Sequence, residues 1–167
     1  MEIAQLMAVD EFGIRLEMVN GLPLWEAHPG WQHQKSIDRI RASLRTPARK
    51  KPKTESGCAC IHASDVYIRF PDGSLKRPDF AIFCREPDPG EDEVITLIPE
   101  AVVEVVSKGY ERKDLEIGPS FYLSQGVKDV VVFNPRTLEV HHIRHDQTLN
   151  YRSPVKLKLE CGCTCEV

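Results

Sequence analysis

The segment that most constrains this chain is Ala101-Val-Val-Glu-Val-Val106, an apolar run interrupted by one carboxylate. β-Branched side chains suit a pleated backbone, and a run without polar alternation belongs to a strand covered on both faces. This segment is therefore expected at the centre of a sheet. Glu104 then needs a partner. A lone buried charge is costly enough that it is neutralised, paired with an arginine or lysine, or set against a metal ion. A second run of the same kind, Asp129-Val-Val-Val-Phe133, follows a stretch that Asp114 can cap as a helix and Gln125-Gly126 can stop. Strand, helix and strand in that order imply a crossover and parallel pairing. Gly118-Pro119 predicts that the helix either kinks there or starts afresh with Pro119 in its first turn.

The flanking segments carry shorter signals. Ile14, Leu16 and Met18 alternate with Arg15, Glu17 and Val19 at strand period, and Asn20-Gly21 favours a type I′ turn. The two together predict an N-terminal β-hairpin that returns through Leu22 to Glu26. Ile37, Ile40 and Leu44 recur at helical spacing and predict a surface helix from about Trp31 to Arg45. Asp65 to Phe70 and Asp79 to Cys84 lie on either side of the turn signal Pro71-Asp72-Gly73 and are expected to be antiparallel neighbours. Leu138 to Arg144 forms a further strand, and Val155 to Glu160, apolar on one face only, suits a sheet edge. Without an internal repeat or a linker, residues 1–167 are expected to form a single α/β domain: a mixed sheet flanked by helices, with an N-terminal β-hairpin. Within it, residues 46–57 read as a mobile basic loop and 155–167 as a C-terminal strand with a cysteine-rich tail.

Composition narrows the function classes. Lys plus Arg number 22 against 25 Asp plus Glu, a net charge of −3, so this is not a strongly basic nucleic-acid binder. The basic residues nevertheless gather locally. Arg45, Arg49, Lys50 and Lys51 stand in a stretch that can neutralise phosphates, or that is a solvated helix face running into a loop. No apolar run approaches the roughly 18 residues of a spanning helix, which excludes a membrane protein of that type. The opening Met-Glu-Ile-Ala-Gln lacks a secretory pattern, so the expected compartment is the cytoplasm.

Six cysteines in such a compartment read as thiols or metal ligands. Cys58-Ala-Cys60 and Cys161-Gly-Cys163-Thr-Cys165 are two clusters at alternate spacing. Cys58, Cys60, Cys161 and Cys163 could surround one structural Zn²⁺, with His62 as a substitute ligand. The alternatives are free thiols, or disulfides joining the clusters in an oxidising compartment. Cys84, at the end of an apolar strand, is expected in the core.

Asp79 opens a strand behind a stiffening proline, in Arg77-Pro78-Asp79. Two carboxylates, one opening a strand and one within the central strand, can converge on a hard cation such as Mg²⁺. The ordered set Pro78-Asp79, Glu104-Val-Val-Ser107, Asp114, Tyr122-Leu-Ser-Gln-Gly-Val127 and Val131-Val-Phe-Asn-Pro135 resembles the Uma branch of the PD-(D/E)XK nuclease superfamily. Glu17-Met-Val-Asn-Gly21 and His33 are similar to that family's opening hairpin and first helix. The resemblance spans roughly residues 14–145.

It implies a restriction-endonuclease-like fold, often dimeric, with Mg²⁺- or Mn²⁺-dependent cleavage of phosphodiesters in DNA. It assigns Asp79 and Glu104 to the metal and Glu17 as a further acidic residue beside it. Where the superfamily carries a catalytic lysine, this chain has Val106, and at the alternative position on the next helix it has Gly118. Lys113 is the expected stand-in, with Lys108 also near in sequence. The other reading is a scaffold that keeps the fold, possesses no cutting activity and binds nucleic acid or a protein partner, with zinc as a stabiliser.

Overall fold

The computed structural model describes residues 3–26, 28–47, 57–88, 90, 93–109, 111 and 113–167. In chain order the elements are α1 (Ile3–Asp10), β1 (Leu16–Val19), β2 (Leu22–Trp25), α2 (Trp31–Ser43), β3 (Ile61–Ala63), β4 (Ile68–Arg69), β5 (Leu75–Lys76), β6 (Phe80–Phe83) and β7 (Ala101–Val105). A π-helical turn (Lys113–Ile117) leads into α3 (Gly118–Ser124). It is followed by β8 (Asp129–Asn134), β9 (Glu139–Ile143), β10 (Thr148–Arg152), β11 (Lys156–Lys158) and β12 (Thr164–Glu166).

The two apolar runs pair in parallel, Ala101 opposite Asp129 and Val105 opposite Phe133, at the middle of a sheet ordered β10-β9-β8-β7-β6-β3. The other pairings in that sheet are antiparallel. Successive residues of a strand face opposite ways, so β7 divides its side chains between two layers. Val103 and Val105 pack with Ile37 and Ile40 of α2 and with Leu157 and Leu159. Val102 and Val106 pack with Phe121 and Tyr122 of α3 and with Phe70. Glu104 shares the parity of Val102 and therefore points into the α3 layer.

A smaller antiparallel sheet, β2-β1-β5-β4, lies at the front. Asn20 and Gly21 have φ of 50° and 77°, the pair of positive values a type I′ turn requires, and Val19 closes on Leu22 as expected. The strand containing Ile68 does not neighbour the one beginning at Phe80. The Pro71-Asp72-Gly73 turn instead folds β4 onto the two-residue β5, and β6 lies between β3 and β7. Arg77-Pro78 then carries the chain from one sheet to the other. The strand at Lys156 is likewise not an edge of the main sheet. It forms its own hairpin with β12 across the Cys161-Gly162 turn, and this hairpin packs on α2. Asp114 does not cap a helix: its carboxylate accepts the Ser107 N–H, and the π-helical turn precedes a fresh start at Gly118-Pro119. Among the described residues no helix is long and apolar enough to cross a membrane.

Candidate active site

The register of β6 against β7 sets Phe80 opposite Val103, so the next step along each strand brings Asp79 beside Glu104. Each carboxylate then accepts a backbone N–H from the other's strand: Val105 N to Asp79 Oδ2 at 2.8 Å and Asp79 N to Glu104 Oε2 at 3.3 Å. Tyr122 of α3 donates its hydroxyl to Glu104 Oε1 at 2.6 Å, and His33 of α2 places Nε2 3.0 Å from Asp79 Oδ2. Among the described residues neither an arginine nor a lysine forms an ion pair with Glu104, and no hydrogen bond falls on Asp79 Oδ1. Burial, and then the Asp79 charge, push the Glu104 carboxyl well above the ordinary range. Burial also works against a charged His33, but Asp79 outweighs it and raises the imidazole.

Behind this pair lies a second set of charges. Glu17 faces inward from β1, only 1% exposed, and meets Lys76 Nζ at 2.8 Å, Lys113 Nζ at 3.0 Å and the Arg77 N–H at 2.9 Å. Burial alone would raise Glu17, but Lys76 and Lys113 outweigh it and hold the carboxyl at about 2. Lys113 also meets Glu26 Oε1 at 2.7 Å. Burial and the neighbouring Glu17 charge push Glu26 up to about 7. Burial opposes the Lys113 charge, yet Glu17, Glu26 and Glu104 raise it, so this side chain is an ammonium. Asp114 is lifted to about 6 by burial.

Asp79, Glu104, His33, Lys113, Glu26 and Asp114 line one cleft, with a cavity volume of about 50 Å³. That is room for a few waters or a small hydrated ion. Three of the lining residues carry buried polar atoms with no hydrogen-bond partner among the described residues: Arg15 Nε, His33 Nδ1 and Ser64 Oγ. Arg15 itself is held by an ion pair with Asp65, which also receives Arg77 Nε at 3.0 Å.

The structure thus brings Asp79, Glu104 and Lys113 to one cleft and sets Glu17 behind it, with Lys113 between Glu17 and Glu26. Val106 is buried in the α3 layer. A Cβ at Gly118 would stand 3.3 Å from the Lys113 carbonyl oxygen, so the start of α3 packs closely under the turn that presents Lys113. Arg45 is not at the cleft. It caps the end of α2, donating to the Ala42 and Leu44 carbonyls at 2.8 Å. Arg49, Lys50 and Lys51 lie outside the described residues. Cys58 pairs with Cys84 and Cys60 with Cys163 as disulfides, while Cys161 and Cys165 are free.

Sequence reasoning alone missed Lys76, Tyr122, Arg15 and Ser64. The available signal was weak: Lys76 stands two residues before Pro78, in a strand too short to show a period.

A crystal structure described as "a putative nuclease belonging to DUF820", from Anabaena variabilis, superposes with a TM-score of 0.67. The match is at 13% sequence identity over 94% of this chain and 88% of that one, and it establishes a shared fold. None of the curated proteins compared matches the chain. The Uma2 family, described as "Putative restriction endonuclease", matches residues 2–161, nearly the whole length, and the chain belongs to that family.

Proposed function

We propose that this cleft hydrolyses phosphodiester bonds in DNA with Mg²⁺ or Mn²⁺ held by Asp79 and Glu104. The supporting observation is a pairing of opposite needs in one small space. Glu104 is buried beside Asp79 without a cationic partner, and three buried polar atoms of the same cleft, Arg15 Nε, His33 Nδ1 and Ser64 Oγ, have no hydrogen-bond partner among the described residues. A divalent ion carrying a phosphate satisfies both sets. Two carboxylates plus substrate oxygens and water is also the usual coordination of Mg²⁺.

When bound, the ion supplies a nucleophilic water near neutral pH and offsets the charge gathering on phosphorus. The chain supplies the rest. The two backbone N–H groups hold Asp79 and Glu104 in register, and the Tyr122 hydroxyl fixes which Glu104 oxygen remains for the cation. Against the effect of burial, Asp79 favours the charged form of His33, in which Nδ1–H, together with Arg15 Nε and Ser64 Oγ, can receive phosphate oxygens. Lys113 contributes positive charge at the cleft wall. Its raised proton affinity and its two carboxylate partners make it an electrostatic stabiliser of the phosphate rather than a proton acceptor. Glu17 anchors that lysine and Lys76, so its part in the site is to hold cations in place.

Cleavage of supercoiled plasmid with Mn²⁺ tests the proposal. Wild type nicks the plasmid, and Asp79→Ala and Glu104→Ala do not. Equal cutting by all three proteins assigns the activity to a contaminant. A wild type that binds the plasmid yet leaves it intact supports the scaffold reading instead.

A further inference from the structure

Away from the cleft, the fold gathers five of the six cysteines into one place. Cys58, Cys60 and Cys163 have sulfurs within 4.8 Å of one another, and so do Cys58, Cys84 and Cys161. These residues come from three separate parts of the chain: the segment leading into β3, the end of β6, and the turn of the β11–β12 hairpin. Two disulfides account for four of these sulfurs and leave the Cys161 thiol standing against Cys58 and Cys84.

We propose that in its thiol form the chain binds one structural Zn²⁺ through Cys58, Cys60, Cys161 and Cys163. A tetrahedral tetrathiolate site with Zn–S bonds of about 2.3 Å has sulfurs roughly 3.8 Å apart. The Cys58 and Cys163 sulfurs, which are not bonded to each other, stand at 3.5 Å. Each pair of ligands flanks a single residue, Ala59 in one and Gly162 in the other, and the chain turns through positive φ in both, at the ligand Cys60 itself (51°) and at the intervening Gly162 (92°). Gly162 is required there for a second reason: a Cβ would press on Pro47 at 3.3 Å. Pro47 therefore covers the turn.

The backbone around the sulfurs is already tied together, with Arg45 and Thr164 exchanging N–H to carbonyl bonds at 2.8 and 3.0 Å. The Cys60 thiol side faces the Arg45 carbonyl at 3.7 Å. A metal at this point would fasten the terminal hairpin to the main sheet through the segment that follows α2. Binding displaces four thiol protons, so the thiolates rather than the thiols are the ligands. Disulfides and the ion are competing uses of the same sulfurs. A phosphine reductant opens each disulfide by taking up its oxidising equivalents as phosphine oxide, with water supplying the oxygen and the two thiol protons.

Full-length protein purified under phosphine reductant, with zinc in the growth medium, is assayed for metal by elemental analysis. Replacement of the ion by Co²⁺ is then read in the visible and near-ultraviolet spectrum. The expected result is one zinc per chain, a tetrahedral Co²⁺ spectrum with strong thiolate charge-transfer bands, and loss of the metal in Cys58→Ser and Cys161→Ser. Cys84→Ser and Cys165→Ser keep it. Should ligand variants unfold, wild type remains informative, because chelator removal of the ion lowers its melting temperature. Substoichiometric zinc in fully reduced, folded protein overturns the proposal. So does loss of zinc from Cys84→Ser with retention in Cys161→Ser.

Discussion

Glu17 and Glu104 are both buried glutamates, and their neighbours send them in opposite directions. Glu17 meets two ammonium groups and stays ionised to about pH 2, whereas Glu104 meets Asp79 and a tyrosine hydroxyl and holds a proton well above the ordinary range. Glu104 was legible because a carboxylate breaks an apolar run. Glu17 was reached only through the family resemblance, because Ile14-Arg-Leu-Glu-Met by itself reads as a strand with one wet face, and the lysine that covers that face arrives from β5, far along the chain. Lys76 is as buried as its partner, at 1% exposure. Removing one member of a buried pair strands the other, so Lys76→Met is expected to cost about 3–5 kcal/mol in chemical denaturation. The matching change at Lys128, a half-exposed partner of Glu100, is expected to stay within about 0.5 kcal/mol. Equal effects at the two sites would mean that the Glu17 cluster carries no structural burden.

The elements that sequence could reveal are those with a strong local signal: alternation and an Asn-Gly turn in the β1–β2 hairpin, helical spacing in α2, and unbroken β-branched runs, buried along their whole length, in the parallel pair β7 and β8. The others escaped for identifiable reasons. In α1 only Leu6 is buried, so no apolar stripe marks it. The strand β10 is exposed along its whole length and follows from its pairing with β9, not from its own residues. The one-sided pattern at Leu157 and Leu159 did mark a strand, but its partner proved to be β12.

One polar group joins these late elements to the sheet. Asp129, fully buried at the start of β8, receives His142 Nε2 and Arg144 Nε at 2.6 Å each and the Glu160 N–H at 2.7 Å. Burial works against the charged carboxylate, but His142, the Glu160 N–H and Arg144 outweigh it and hold Asp129 below the ordinary value of 3.8. A depressed carboxylate stabilises the fold above its unfolded pKa, and that contribution is lost as pH falls through the folded one. Asp129→Asn is therefore expected to be less stable at neutral pH. Its deficit narrows below about pH 4, where the wild type begins to lose the same charge. Denaturation midpoints measured from pH 7 to pH 2 check this, and a deficit that does not change with pH would contradict it.

At the scale of the molecule, the cleft belongs to no single element. The main sheet supplies Asp79 and Glu104, α2 supplies His33, the front hairpin supplies Arg15 and Glu26, and the π-helical turn supplies Lys113 and Asp114. Their meeting depends on the crossover and on the step from β5 to β6, and neither the register nor the facing of these side chains is written in local sequence. The positions that depart from the superfamily pattern, Val106 and Gly118, are occupied by packing: one in the α3 layer, the other against the Lys113 carbonyl.

The central claim is that Asp79 and Glu104 share a divalent cation. Calorimetric titration of wild type, Asp79→Asn and Glu104→Gln with Mn²⁺ measures it most directly, with circular dichroism confirming that all three are folded. The account predicts saturable binding by wild type, lost in both variants, while Glu104→Gln is no less stable than wild type without metal, because a neutral amide stands where burial and the Asp79 charge already favour the uncharged side chain. Undiminished Mn²⁺ binding by the folded variants, or none by wild type, would contradict it.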